Sequence, residues 1–130
     1  GIDLSPVMIN LAKLRYPECN FKVMNAAYMQ FDDNSMDIIT CFAMFHEMPK
    51  EYSQLVFQEF KRVLKTTGCI YIWDQRVTPF SNLQHSHNDP VEPFLESYAS
   101  MNITEEFEKI GLTTTEQNEG MFKMWKIQNM

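Results

Sequence analysis

The sequence predicts an α/β fold, and three observations lead to that prediction. Segments with strand character alternate with segments of helix character along most of the chain. Two strand segments are nearly unbroken apolar runs, as is typical of strands covered on both faces in a parallel sheet. Near the carboxyl terminus, Asn118-Glu119-Gly120 separates two further strand segments, which indicates a closing hairpin with glycine in the turn. With 130 residues the chain has the length of one domain.

The first helix is predicted to begin at Pro6, because Ser5 is a favourable N-cap and proline is favoured at the first helical position. Apolar residues then recur at spacings of three and four. The helix is expected to run to about Tyr16, since Pro17 cannot continue it.

The clearest helix covers Glu51–Lys65, where apolar residues form one stripe and Thr66-Thr67-Gly68 follows as a stop. Gln75 to Asn88 is a polar loop, long for a compact domain and therefore a candidate functional segment. The other predicted elements are strands at Asn20–Met24, Asp37–Phe42 and Cys69–Trp73, helices at Glu92–Ser100 and Thr104–Ile110 (capped by Asn102 or Thr104), and strands at Leu112–Gln117 and Met121–Gln128.

Charge and composition exclude several classes of protein. The net charge is −6, and residues 77–122 hold eight acidic residues against the single base Lys109. No clustered basic face is available for nucleic acid, so no nucleic-acid partner is expected. No apolar run approaches the length of a membrane span, and no leader-like segment opens the chain, so no membrane partner is expected either. Three cysteines, two of them inside apolar runs, predict a reducing, cytoplasmic location.

Four segments resemble class I S-adenosylmethionine (SAM)-dependent methyltransferases. Gly1-Ile2-Asp3-Leu4-Ser5-Pro6 is similar to the family's second strand, which ends in an acid. Met24-Asn25-Ala26, followed by residues 31–37, resembles the Gly-Asp-Ala and Pro-Phe-x-x-x-Ser-Phe-Asp segment. Phe45-His46-Glu47 and Arg62-Val63-Leu64-Lys65-Thr66-Thr67-Gly68 match two later segments in the right order. The resemblance covers essentially all of the chain.

The resemblance implies a Rossmann-like three-layer sandwich, with a mostly parallel sheet and a C-terminal antiparallel hairpin. In the family the strand order is 3-2-1-4-5-7-6. The first strand and its Gly-rich loop are absent from this sequence, so residues 1–130 are expected to form a single partial, N-terminally truncated domain that lacks the central strand.

The resemblance also implies a site. Asp3 is the family's ribose acceptor, although an acid near the start of a helix is also favourable by itself. Asn25 stands where the family has an acidic residue at the adenine end, and its amide oxygen is still an acceptor. Leu4 and Ala26 are their neighbours in the expected cofactor site. Other candidates are Phe42 and Phe45, which either wall the adenine and transfer site or belong to the core, and His46, a candidate general base. Methyl transfer also proceeds by alignment and desolvation alone, so a base is not required.

Cofactor binding is expected to be weak or absent in this chain. The family's Gly-rich loop holds the methionine end of SAM, and the four glycines at 1, 68, 111 and 120 do not supply such a loop. Adenosine contacts alone predict an affinity near millimolar.

The segment His85-Ser86-His87-Asn88-Asp89 has spacing that can place ligands around zinc, but the chain has only one other histidine. A polar loop over the substrate mouth is the preferred interpretation, and no metal site is predicted.

Two functions stay open. The first is a methyltransferase acting on a small-molecule acceptor under the Gln75–Asn88 loop, with an incomplete cofactor site. The second is an inactive remnant of the fold that serves as a dimeric interaction module. Without the central strand, the Asp37–Phe42 strand has an open apolar edge, which predicts a homodimer. The alternative is a local collapse in which Gly1–Leu4 or Asn20–Met24 closes the gap.

Overall fold

The structure is a computed structural model and describes residues 1–77 and 92–130. Its strands and helices alternate as the sequence predicts. In chain order the elements are β1 (Ile2–Asp3), α1 (Pro6–Arg15), β2 (Lys22–Val23), β3 (Met36–Phe42), a 3₁₀ turn (Phe45–Glu47), α2 (Lys50–Val63), β4 (Leu64–Gln75), α3 (Leu95–Ala99), α4 (Ile103–Lys109), β5 (Leu112–Glu119) and β6 (Phe122–Asn129).

The caps predicted for two helices are confirmed. The Ser5 hydroxyl accepts the Met8 N–H at 3.3 Å, with Pro6 in the first turn of α1. Asn102 caps α4 by accepting the Glu105 N–H at 3.3 Å. Each cap satisfies a backbone donor that has no partner inside its helix, which fixes where the helix begins.

The strands form two hydrogen-bonded groups. β1 and β2 make a two-stranded parallel ladder, and the second group has the order β3-β4-β6-β5. In that second group only β3 and β4 are parallel, while β4–β6 and β5–β6 are antiparallel. The expectation of a mostly parallel sheet is therefore corrected to a mixed sheet, because the long closing hairpin contributes two of the three pairings.

In the described residues no hydrogen-bonded ladder joins the two groups of strands. Within the described residues, β1 and β3 are not paired with each other, and each has one unpaired edge. The collapse alternative is not what the structure shows: Gly1–Leu4 and Asn20–Met24 pair with each other through β1 and β2 and leave the β3 edge open.

The core lies between α2 and one face of the four-stranded group. Phe57 of α2 packs against Phe45 and Phe107, with ring centroids 4.8 and 4.5 Å away. Buried side chains of β4 and β6 complete this core: Leu64, Ile70, Ile72, Trp125 and Ile127. The stripe predicted from the sequence is confirmed in part: Val56, Phe60 and Val63 are buried. Leu55, which the prediction included, is 41% exposed, and Phe57, which it left out, is buried.

The expectation that the apolar strands are covered on both faces is wrong for β3. Ile38 and Phe42 are 62% and 67% exposed, whereas Cys41 is buried. In β4 buried and half-buried residues alternate. The reason is that α2 covers only one face of these strands in the described part of the chain, so alternate side chains remain accessible.

Strand β4 also begins earlier than predicted, directly at the end of α2. Met36 of β3 pairs with Leu64, and the register shifts before Ile38 pairs with Cys69. The Asn129 side chain donates to the carbonyls of Lys65 and Thr66 at 3.2 and 3.0 Å, which supports this extended segment. None of the helices in residues 1–77 and 92–130 has the length and apolar character needed to cross a membrane.

Candidate active site at the carboxyl ends of the strands

The first candidate group lies at the carboxyl ends of β1 and β2. Asp3 is exposed, and its Oδ1 accepts the Ser5 N–H at 2.7 Å, so its side chain is held at the entrance to α1. The Asp3 carbonyl accepts the Met24 N–H at 3.0 Å, which brings the residues after the two strands to one edge. Leu4 is exposed beside Asp3.

Asn25 folds the chain after β2 into a tight turn. Its Oδ1 accepts the Ala27 N–H at 2.8 Å, and its carbonyl accepts the Tyr28 N–H at 3.1 Å. Ala26 is half-buried and packs against the core, while Ala27 is buried within it. The amide oxygen that the sequence assigns to adenine is thus already engaged by one backbone donor, and a second lone pair remains.

The two candidate aromatic residues have different surroundings. Phe42, the last residue of β3, is exposed, and its ring lies 5.4 Å from that of Phe122 on β6. Phe45 is fully buried, with its ring 4.8 Å from Phe57 and 6.3 Å from Phe60. Phe45 is therefore a core side chain, the second of the two interpretations that its sequence leaves open.

His46 is buried and is paired with a carboxylate that the sequence analysis did not assign to the site. Its Nδ1 lies 2.6 Å from Oδ1 of Asp74, a fully buried residue near the carboxyl end of β4. The Asp74 oxygens also accept the N–H groups of Phe45 and Gln75, each at 2.7 Å. His46 and Asp74 therefore lie at neighbouring carboxyl ends of parallel strands, the edge where α/β folds bind ligands.

The buried Asp74 charge affects two neighbouring groups. Burial, together with the Asp74 charge, raises the pKa of the Cys41 thiol to about 12, so the thiol is protonated at neutral pH. The same two causes, burial first, raise the pKa of the Tyr98 hydroxyl, which donates to the Gln75 carbonyl at 2.8 Å. Both groups therefore carry their hydrogens at neutral pH.

Sequence reasoning missed Asp74, although a signal for it existed. Cys69–Trp73 is a buried apolar strand, and the acid comes immediately after it. An acid at the carboxyl end of a buried parallel strand points to the ligand-binding edge. The pairing with His46 is not readable from the sequence, because 28 residues separate the two.

The His85–Asp89 segment and most of the Gln75–Asn88 loop lie outside the described residues. Within residues 1–77 and 92–130, no group of three or more His, Cys, Asp or Glu side chains is arranged to hold a metal ion.

Residues 1–72, more than half of the chain, match the protein family described as a methyltransferase domain. The chain belongs to the class I SAM-dependent methyltransferases. Over 72 residues it is 40% identical to the demethylmenaquinone methyltransferase of Chlorobaculum tepidum, an alignment that covers 55% of this chain and 29% of that protein. The match therefore spans less than a third of the length of this curated relative.

Solved structures of similar fold cover the whole chain. Protein PH0226 from Pyrococcus horikoshii OT3 matches with a TM-score of 0.75 at 18% identity, over 100% of this chain and 72% of that chain. A TehB-like SAM-dependent methyltransferase from Corynebacterium glutamicum matches with a TM-score of 0.66 at 18% identity, over 100% and 67%. At these identities the likeness shows the methyltransferase fold.

The family uses SAM, and the residues of this chain fit one half of it. Asp3 is exposed, with one carboxylate oxygen that accepts no hydrogen bond from any described residue, as a ribose acceptor requires. Asn25 retains one acceptor position toward adenine. The chain has no glycine-rich segment for the methionine end. The acceptor atoms of Asp3 and Asn25 therefore fit the adenosine half of the cofactor.

Proposed function

We propose that this methyltransferase domain takes part in SAM-dependent methyl transfer to a small-molecule acceptor. One observation carries the proposal: in a chain of this family, Asp3 is the last residue of β1, and Asn25 lies just beyond the end of β2, the parallel neighbour of β1. The carboxyl ends of parallel strands are where α/β folds bind nucleotides. Asp3 accepts the ribose hydroxyls, Asn25 accepts from the adenine amino group, and Leu4 and Ala26 contact the adenosine. When bound, SAM supplies an electrophilic methyl group on a sulfonium sulfur.

His46 takes a proton from the methyl acceptor in this proposal. Its Nε2 lies 3.3 Å from Oε1 of Glu47, whose side chain is 58% exposed, so this nitrogen is on the solvent side of the imidazole. Methyl transfer that needs only alignment of the acceptor is the competing mechanism. A His46→Gln variant that retains full activity would support that alternative.

The acceptor is expected to be neutral or cationic. The acidic composition of residues 77–122 disfavours an anion, and the exposed Phe42 ring beside Phe122 favours an apolar or aromatic molecule. The Chlorobaculum relative is named for demethylmenaquinone, so demethylmenaquinone is a suitable first acceptor to assay.

The experiment is a titration of the 130-residue chain with S-adenosylhomocysteine, followed by calorimetry and by amide chemical shifts. We expect a dissociation constant near millimolar, since several hydrogen bonds of about 1.5–3 kcal/mol each are not formed at the methionine end. Shifts are expected at residues 3 and 25. Asp3→Asn retains the acceptor for the Ser5 N–H and should weaken binding about tenfold, because a charge-assisted bond to the ribose becomes a neutral one.

Glu108→Gln is the matched control, because it removes an exposed carboxylate from α4, away from β1 and β2. It should leave binding unchanged. A micromolar affinity for S-adenosylhomocysteine contradicts a site that holds only the adenosine part of the cofactor. If the amide chemical shifts of residues 3 and 25 do not change, the proposed contacts of Asp3 and Asn25 with adenosine are wrong.

A second candidate function is a dimeric interaction module, and one observation favours it. The open edge of β3 carries Ile38 and Phe42, and both are mostly exposed. Tight self-association without any binding of S-adenosylhomocysteine would favour this second function. In either case we propose a cytoplasmic protein, since Cys19, Cys41 and Cys69 are all unpaired thiols.

A further inference from the structure

The side chains of His46 and Asp74 are buried and lie within hydrogen-bond distance of each other. The imidazole Nδ1 and the Asp74 Oδ1 are 2.6 Å apart, and the two side chains are 7% and 0% exposed. Among the described residues no lysine or arginine forms an ion pair with Asp74. A fully buried carboxylate is therefore compensated by hydrogen bonds, which makes the identity of each donor important.

Among the described residues, two backbone N–H groups donate to the Asp74 carboxylate, and the His46 imidazole is the third group at hydrogen-bond distance. Oδ2 accepts the Phe45 N–H, Oδ1 accepts the Gln75 N–H, and Nδ1 of His46 lies 2.6 Å from Oδ1. A carboxylate is an acceptor only, so the imidazole nitrogen facing it must carry its hydrogen. In a neutral imidazole the other nitrogen, Nε2, then has a free lone pair.

We propose that Asp74 is a positioning residue that fixes His46 in the Nδ1–H tautomer, so that Nε2 is the atom that takes the proton from the methyl acceptor. This inference rests on the proposed function for the identity of the acceptor. In the step itself, the O–H or N–H bond of the acceptor breaks, the proton binds to Nε2, and the bonding electron pair stays on the acceptor atom. His46 becomes an imidazolium between two carboxylates.

Glu47 completes the arrangement on the other side of the ring. Its Oε1 lies 3.3 Å from Nε2, and the residue follows His46 in the same 3₁₀ turn. Once Nε2 carries a proton, both ring nitrogens are donors, one toward Asp74 and one toward Glu47. Because the Glu47 side chain is mostly exposed, an acceptor molecule is able to displace it before the transfer.

The test is the tautomer of His46, measured by long-range ¹⁵N–¹H NMR at about pH 8.5, where an ordinary imidazole is neutral. The chain has three histidines, so the double variant His85→Gln/His87→Gln leaves only the His46 signals. We expect a protonated Nδ1 and an unprotonated Nε2, the tautomer that free histidine disfavours. Asp74→Ala should shift His46 toward the Nε2–H tautomer.

Tyr98→Phe is the matched control. The Tyr98 ring lies 6.3 Å from the imidazole, and this variant removes a hydroxyl near His46 without changing the Asp74 carboxylate. The tautomer should stay Nδ1–H. If Asp74 only supports the turn through the Phe45 and Gln75 N–H groups, Asp74→Ala lowers the melting temperature but does not change the tautomer.

An Nε2–H signal in the otherwise wild-type chain overturns the inference, and this measurement remains decisive if Asp74→Ala does not fold. Persistence of Nδ1–H in a folded Asp74→Ala variant overturns it as well. The proposed function fails separately, if S-adenosylhomocysteine does not bind near Asp3. The tautomer is measured without cofactor or acceptor, so the two failures are distinguishable.

Discussion

Arg62 shows how much a single residue contributes to the loop that follows β2. Its guanidinium donates to both carboxylate oxygens of Glu59 at 2.7 and 2.9 Å, and to Asp33 at 2.6 Å. It also donates to the carbonyls of Met29 and Phe31 at 2.9 and 2.8 Å. The planar guanidinium of Arg62 therefore connects residues 29–33 to the end of α2. The ammonium group of a lysine could not replace it, because it lacks this set of coplanar donors.

Arg62→Gln should lower the melting temperature by several degrees at neutral pH, because four acceptor groups lose their donor. Hydrogen bonding from Arg62 is the largest cause that lowers the pKa of Glu59 in the folded chain. Stability from this interaction is therefore present above the ordinary glutamate pKa of 4.5 and is lost as the pH falls through the lower folded-state pKa. The difference in melting temperature between the wild type and Arg62→Gln should become smaller in acid, as measured by thermal unfolding from pH 7 to pH 3.

Lys126→Gln is the control for Arg62→Gln. Lys126 is exposed on β6, and its side chain forms no hydrogen bond or ion pair with any described residue. It should leave the melting temperature within about a degree at every pH. The role given to Arg62 is wrong if both variants lower the melting temperature equally. It is also wrong if the difference in melting temperature between the wild type and Arg62→Gln increases in acid.

Among the elements, α2 holds the largest share of the core. Phe57 is buried between the 3₁₀ turn and α4, where it contacts Phe45 and Phe107. Phe57→Ala should cost about 3–5 kcal/mol of unfolding free energy, because the removed ring leaves a cavity among side chains that cannot collapse fully. Leu55→Ala, on the exposed side of the same helix, should cost less than about 1 kcal/mol in urea unfolding. Similar losses for the two variants contradict this packing.

The contact between β3 and β4 depends on a glycine. A Cβ added at Gly68 would lie 2.9 Å from the Asp37 carbonyl oxygen and 2.7 Å from Cδ1 of Leu64. Gly68→Ala should therefore destabilise the chain by about 1–3 kcal/mol and shift the β3 amide resonances. Backbone strain is not involved, because the positive-φ glycines are Gly111 and Gly120.

Gly120→Ala is the variant that separates backbone strain from the steric clash expected at Gly68. Gly120 has φ +63° in the closing hairpin, and an added Cβ would meet nothing within 4 Å. The cost should be about 1–2 kcal/mol from conformational strain alone, with β3 resonances unchanged. If Gly68→Ala has no effect on stability or on the β3 resonances, the close approach of β3 to β4 is wrong.

For the whole molecule, we propose that copies of the chain associate through the open edge of β3. Unpaired backbone groups beside exposed Ile38 and Phe42 favour pairing with another strand. We expect light scattering at tens of micromolar to give a mass near twice 15.3 kDa. Ile38→Lys should return the chain to a monomer, because it places a charge on this edge strand.

Thr115→Lys is the control for Ile38→Lys, since Thr115 is exposed on β5, the strand at the opposite edge of the four-stranded group. It should leave the dimer intact. A wild-type mass of 15.3 kDa, or loss of the dimer in both variants, contradicts association through β3.

The sequence by itself determined the order and type of the elements. Ser5 and Asn102 identify helix starts because capping is a local interaction between a side chain and a backbone donor a few residues away. Gly120 identifies the hairpin for the same reason, since its positive φ is a property of one residue. The alternation of these local signals was sufficient to predict the α/β class, whereas the methyltransferase resemblance came from four particular segments of the sequence.

Tertiary structure alone decided which residues meet. Phe42 and Phe45 have similar sequence surroundings, yet one is exposed and the other is in the core, because the 3₁₀ turn directs Phe45 toward α2. Asp74 became a partner of His46 only when parallel pairing of β3 and β4 brought their carboxyl ends together. Such contacts depend on strand register across 28 residues, and no local pattern in the sequence encodes that distance.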